Sequence, residues 1–132
     1  MVNNIAVLVA AIGSMVVGML WYGPLFGQKW VKLMGWNKAE AKKKQEAGKK
    51  SLVYAFIGTL VTAYVLAMFI GNLGASGPRA GAIVGFWIWL GFLATSQVGR
   101  VLWEGSPKQL YYLNTFFNLV NLAVMGAIIG AF

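Results

Sequence analysis

Four long, mostly apolar stretches divide the chain, and polar residues collect in the segments between them. The stretches cover residues 5–22, 51–70, 81–103 and 110–131. Each is roughly 18–23 residues, or about 27–34 Å as an α-helix, which matches the hydrocarbon core of a bilayer. No stretch alternates polar and apolar positions as a barrel strand must. The pattern predicts an all-α polytopic membrane protein: four transmembrane helices in one compact, left-handed bundle. Residues 23–50 form the longest polar segment. Within it Trp30, Leu33 and Met34 recur at helical spacing with Lys29 and Lys32 interleaved, which predicts a short interfacial helix on the cytoplasmic membrane surface. Asn37 followed by Glu40 predicts the capped start of a second, polar helix, and Gly48 its end.

Composition supports lipid as the solvent. The 132 residues suit one domain, 59% of them are hydrophobic and only 11% are charged, against about 25% charged in a soluble domain. The net charge of +8 could suggest nucleic acid, but eight of the eleven basic residues lie between Lys29 and Lys50 beside apolar spans. An anionic headgroup surface fits that distribution better, with Lys29, Trp30, Lys32, Lys42, Lys43 and Lys44 as the lipid-surface candidates and no nucleic acid as partner. The second loop carries only Arg79, and residues 1–4 carry no charged side chain. The positive-inside rule therefore puts the first loop and the third turn in the cytoplasm and both termini outside. The N-terminal residues lack the basic region of a signal peptide, so the first span is expected to be retained.

Candidate chemistry narrows the function classes. Cysteine and histidine are absent, and acidic residues number three. That argues against thiol or histidine-based catalysis, Cys/His metal sites and histidine-ligated haem, so no cofactor, no metal and no enzyme activity are expected. Small residues recur four apart: Ser14 and Gly18; Gly81 and Gly85; Gly91, Thr95 and Gly99; Gly126 and Gly130. Such stripes let helices approach closely, either within the chain or between copies of it. On the fourth stretch Asn114, Asn118 and Asn121 fall within about 60° of one face. On the third, Gln97, Arg100 and Glu104 fall at i, i+3 and i+7. The short turn between these stretches makes them antiparallel neighbours, so the two sets predict one polar seam, with Arg100 and Glu104 able to pair. Tyr54, Gly58 and Thr62 of the second stretch share a face that could complete it. Such a seam is either interhelical glue or the lining of a hydrated cavity.

Two segments also look alike, Leu20-Trp21-Tyr22-Gly23-Pro24 and Leu102-Trp103-Glu104-Gly105-Ser106-Pro107, which raises a parallel duplication of two helical hairpins.

The run Trp21-Tyr22-Gly23-Pro24-Leu25-Phe26-Gly27 followed by Trp30 resembles a bacterial family of small membrane proteins, the domain of unknown function seventeen-sixty-one. Ala55-Phe56-Ile57-Gly58, residues 85–92 and Leu102-Trp103-Glu104-Gly105 extend the similarity over nearly the whole chain. The resemblance implies a four-helix integral membrane protein and no established activity. Three functions are then expected in order: a non-catalytic accessory or scaffold subunit of a larger membrane complex; a small oligomeric channel or transporter built on the polar seam; and a lipid-surface sensor acting through residues 29–50. The expected compartment is the bacterial inner membrane.

Overall fold

The computed structural model describes residues 2–132, apart from the side chains of Gln45, Ala47 and Lys49. Met1 and the Lys49 side chain, both used above to orient the chain, lie outside the described residues. The described residues form helices joined by short turns, and four helical runs are long and apolar enough to cross a membrane: Asn4–Leu25, Lys50–Asn72, Pro78–Leu102 and Lys108–Ala131.

The first helix, α1, covers Asn4–Leu20. Asn3 caps it, its Oδ1 accepting the N–H groups of Ile5 at 3.0 Å and Ala6 at 3.2 Å, two donors that have no carbonyl partner inside the helix. The helix then widens into a π-turn over Trp21–Leu25, where Gly23 takes the non-helical angles φ −110° and ψ −105°. Pro24 cannot supply a helical N–H, and the chain bends. Gly27 follows where a Cβ would lie 2.6 Å from the carbonyl oxygen of Tyr22, so the bend needs glycine there. The amphipathic helix α2, Gly27–Met34, starts at this bend and stops at Gly35, whose φ of +76° suits glycine.

The third helix, α3, spans Lys38–Asn72 without a break. Asn37 does cap it, accepting the Glu40 N–H at 2.7 Å. Gly48 does not end it: the expected polar helix and the second span are one helix of 35 residues, about 52 Å long. A glycine inside a helix costs about 1 kcal/mol relative to alanine, but it stops a helix only when the following chain leaves the helical path. Here no proline follows, and residues from Lys50 onward continue the turn.

The third membrane-spanning helix, α4, runs over Pro78–Leu102. It starts regularly, with Pro78 in the first turn, and holds α geometry to Ile88. A π-segment occupies Trp89–Ala94, and two short pieces, Thr95–Gln97 and Gly99–Leu102, complete it. The last helix, α5, covers Lys108–Ala131.

Away from the basic segment the bundle is tight. Gly81 and Gly85 of α4 lie against Gly126, Gly130 and the Leu122 backbone of α5 so closely that a Cβ on Gly81 would overlap the carbonyl oxygen of Gly126. The Gly77 N–H donates across this contact to the Gly130 carbonyl at 2.9 Å. Ala6 and Ala10 of α1 and Ala63 of α3 are fully buried with Met125, and Leu66 nearly so. Small side chains on facing helices give the close backbone approach that drives association where hydrophobic burial cannot. Ser14 is also buried, and Gly18 faces Phe117 of α5.

The stripe Gly91, Thr95 and Gly99 behaves differently. Gly91 and Thr95 are exposed, and a Cβ on Gly99 would meet only Trp103, just past the end of its own helix. The π-segment adds a residue to the turn and rotates everything after it, so this stripe does not continue the Gly81–Gly85 face. The two look-alike segments also diverge: Trp21 points into the bundle, whereas Trp103 is 88% exposed, and Gly105 takes φ +70° where Gly23 does not.

At the basic end the helices spread. Leu52, Val53, Tyr54 and Ile57 of α3 are all exposed, because this part of α3 leaves the other helices. Tyr54, Gly58 and Thr62 therefore do not complete the polar seam. Thr62 instead donates to its own helix, at the Gly58 carbonyl, 3.0 Å away.

Candidate functional site: a polar recess at the basic end of the bundle

The spread at the basic end leaves a recess of about 500 Å³ between α2, the end of α4 and the start of α5. Two structural devices make it. The first is the bend at Gly23 and Pro24, which folds α2 across the end of the bundle. Trp21 donates its indole N–H to the Leu113 carbonyl at 3.2 Å, and the Tyr22 hydroxyl donates to Asn114 Oδ1 at 2.6 Å. Tyr22 also packs edge-on against Phe117 and Trp30, with ring centroids 5.0 Å and 4.9 Å away. The run of residues that carries the family resemblance is thus the joint that docks α2 onto α5.

The second device is the π-segment of α4. It turns Trp89 inward, where its indole N–H donates to the Thr115 carbonyl at 2.7 Å in the buried core. One turn further the Tyr111 hydroxyl donates to the Ala94 carbonyl at 2.7 Å. These two bonds pin the irregular part of α4 to α5 and direct Gln97 and Arg100 toward the same space as Asn114 and Asn118. The Ser106 N–H closes the following turn by donating to the Arg100 carbonyl at 3.0 Å.

The recess is lined by Gln97 and Arg100 from α4, Ser106 from the turn, Tyr111, Asn114, Thr115 and Asn118 from α5, and Tyr22, Trp30 and Met34 from the bend and α2. Four of the six seam residues named from the sequence, Gln97, Arg100, Asn114 and Asn118, meet there. Two do not. Glu104 lies exposed beyond Leu102, where the helix has already ended, so the i+7 spacing no longer places it on the face of Gln97. Asn121 sits further along α5, half-buried, and does not line the recess. Its Oδ1 and the Thr115 hydroxyl are buried without a hydrogen-bond partner among the described residues.

Trp30 sits differently from the lipid-surface role expected of it. Its ring lies between those of Tyr22 and Trp36 and separates the polar recess from a second space of about 500 Å³ on the far side of α2. Lys29 and Lys32 on the same helix are exposed, as are Lys42, Lys43 and Lys44 on α3. The Lys44 ammonium stands 5.6 Å from the Trp36 ring centre, within cation–π range. Sequence reasoning missed Tyr22, Trp30 and Tyr111 as recess residues. The clustering of aromatics around Gly23-Pro24 was visible, but the direction of the bend was not.

Toward the opposite end the recess meets the close-packed α4–α5 contact and the buried core around Leu66 and Met125. The chain therefore gathers a cation, amides and hydroxyls around one recess at the basic end of the bundle. A family model described as a protein of unknown function (DUF1761) matches residues 5–130. No curated protein and no solved structure matches the chain.

Proposed function

The chain belongs to the family of unknown function DUF1761, and from that premise we propose that it is a non-catalytic membrane protein that binds a small polar ligand in the recess at its basic end. The observation that carries this reading is the convergence of Gln97, Arg100, Asn114 and Asn118 on one space of about 500 Å³, within the range of small-molecule sites. Amides serving only as interhelical glue would be bonded to the opposite helix. Among the described residues only Asn114 of these four has such a bond, to Tyr22, and that bond holds the bend before α2 rather than α4. With no carboxylate in the recess among the described residues and no histidine or cysteine in the chain, binding is favoured over catalysis.

The lysine-rich segment favours a cytoplasmic position for the recess, in a bacterial inner membrane with both termini outside. The closed α4–α5 contact argues against a channel within one protomer. A transporter would have to open that contact, or assemble several copies. The accessory-subunit reading draws instead on the exposed aromatics Trp87 and Phe92 along α4 and Trp103 at its end. It predicts stoichiometric co-purification of a larger partner in mild detergent.

The cysteine-free sequence allows a direct test. Asn118→Cys, reconstituted in liposomes, is expected to react with a membrane-impermeant thiol reagent added to the side that carries the lysine-rich segment. Met125→Cys, at a fully buried position, is expected to stay protected. An unreactive Asn118→Cys, or labelling only from the opposite side, would refute a recess open at the basic end.

A further inference from the structure

Resting on the reading of the recess as a ligand site, we infer that the ligand is a phosphate-bearing anion. Arg100 is the one charged side chain lining the recess, and no carboxylate lines it among the described residues. A cation would meet Arg100 without a counter-charge. A phosphate group matches the planar fork of arginine, which can give it two parallel hydrogen bonds.

The surrounding groups extend the donor set. The Tyr22 hydroxyl donates to Asn114 Oδ1 at 2.6 Å, so the Asn114 oxygen is occupied and its amide N–H₂ is the end left to offer. Gln97, Asn118 and Ser106 can each donate as well. Thr115 borders the same space, but its hydroxyl is buried beneath the surface and adds nothing to this donor set. The rings of Tyr22, Trp30 and Tyr111 form apolar walls. Arg100 is itself exposed, so it meets an anion as a partly solvated cation at the edge of these walls. A space of about 500 Å³ exceeds a bare phosphate and leaves room for a short organic group attached to it. Two sources share this chemistry: a soluble phosphate ester, and the headgroup of an anionic phospholipid.

The test uses the full chain carrying Asn118→Cys in nanodiscs of phosphatidylcholine. Labelling rates are compared for an anionic and a cationic methanethiosulfonate reagent of similar size. The anionic reagent is expected to react on the order of tenfold faster, since a charged cleft raises the local concentration of its counter-ion. Arg100→Gln in the same background should remove that preference, and Arg100→Lys should keep most of it. Glycerol 3-phosphate is then added, or the nanodiscs are remade with phosphatidylglycerol. Slower labelling with glycerol 3-phosphate identifies a soluble ester as the ligand; slower labelling only with phosphatidylglycerol identifies a lipid headgroup. Equal rates for the two reagents with no protection by either phosphate overturn the inference, while labelling itself leaves the polar recess standing. No labelling by either reagent overturns both. Gln97→Cys supplies a second reporter position should the Asn118 variant fail to fold.

Discussion

Replacing Gly81 with alanine probes the contact that closes the bundle opposite the recess. The new methyl would overlap the Gly126 carbonyl oxygen and lie 2.7 Å from the Gly126 carbonyl carbon and 3.2 Å from Gly130 Cα. All three atoms are backbone, so no side-chain rotation relieves the contact. Restoring ordinary separations of about 3.5 Å requires α4 and α5 to part by roughly 1.5 Å, which forfeits at least half of each dispersion contact across the seam. It also stretches the 2.9 Å bond from the Gly77 N–H to the Gly130 carbonyl, worth about 1 kcal/mol. Overpacking of this kind costs about 1–3 kcal/mol. Alanine returns about 0.8–1.0 kcal/mol through helix propensity. The balance with the weakened hydrogen bond is a net loss of about 1–3 kcal/mol. Reversible unfolding in mixed micelles, titrated with a denaturing detergent, reads this directly. Gly58→Ala is the matched control: it lies within α3, and a Cβ there meets nothing within 4 Å. It should hold stability or raise it by up to about 1 kcal/mol. If Gly81→Ala proves as stable as wild type, the α4–α5 contact is not the seal described above.

Tyr22→Phe keeps the ring contacts with Trp30 and Phe117 but loses the hydroxyl bond to Asn114. It should weaken the docking of α2 by about 1 kcal/mol, read as faster tryptic cleavage at Lys29 and Lys32. Trp89→Phe removes the buried bond to the Thr115 carbonyl and should lower stability by about 0.5–1.5 kcal/mol beyond the loss of ring volume. A denaturation midpoint unchanged from wild type would count against that bond. Gly48→Pro should kink α3 and detach its basic extension, at a cost of about 3 kcal/mol in helix continuity. Spin-label distances between Lys42→Cys and Val61→Cys would shorten if the helix is continuous in the wild type, and stay the same if Gly48 already ends it.

Much of the fold was legible in the sequence because a bilayer leaves few choices. Backbone polar groups in hydrocarbon must be bonded within the segment, so a stretch of some 20 apolar residues becomes a helix whatever its neighbours do. The four membrane-spanning runs, the cap at Asn37 and the amphipathic character of residues 27–34 follow from such local rules. Helical spacing also grouped Asn114 with Asn118, because α5 stays regular over Lys108–Ala131. Spacing failed where the helix itself changed. The π-segment at Trp89–Ala94 rotated Gly91, Thr95 and Gly99 away from the Gly81 face, and the stop at Leu102 left Glu104 outside the recess. Nothing in residue order distinguishes a π-turn from an α-turn, since the difference lies in which carbonyl each N–H reaches. Tertiary structure alone decided those carbonyls, through the bonds from Trp89 to Thr115 and from Tyr111 to Ala94. It also decided that the chain bends at Gly23 and Pro24 so that Tyr22 and Trp30 face α5, turning a surface polar stripe into a walled space. The sequence by itself determined that this protein lies in a membrane with its basic segment at one end. The contacts between helices determined that the polar groups at that end share one recess, because their directions depend on partners more than ten residues away along the chain.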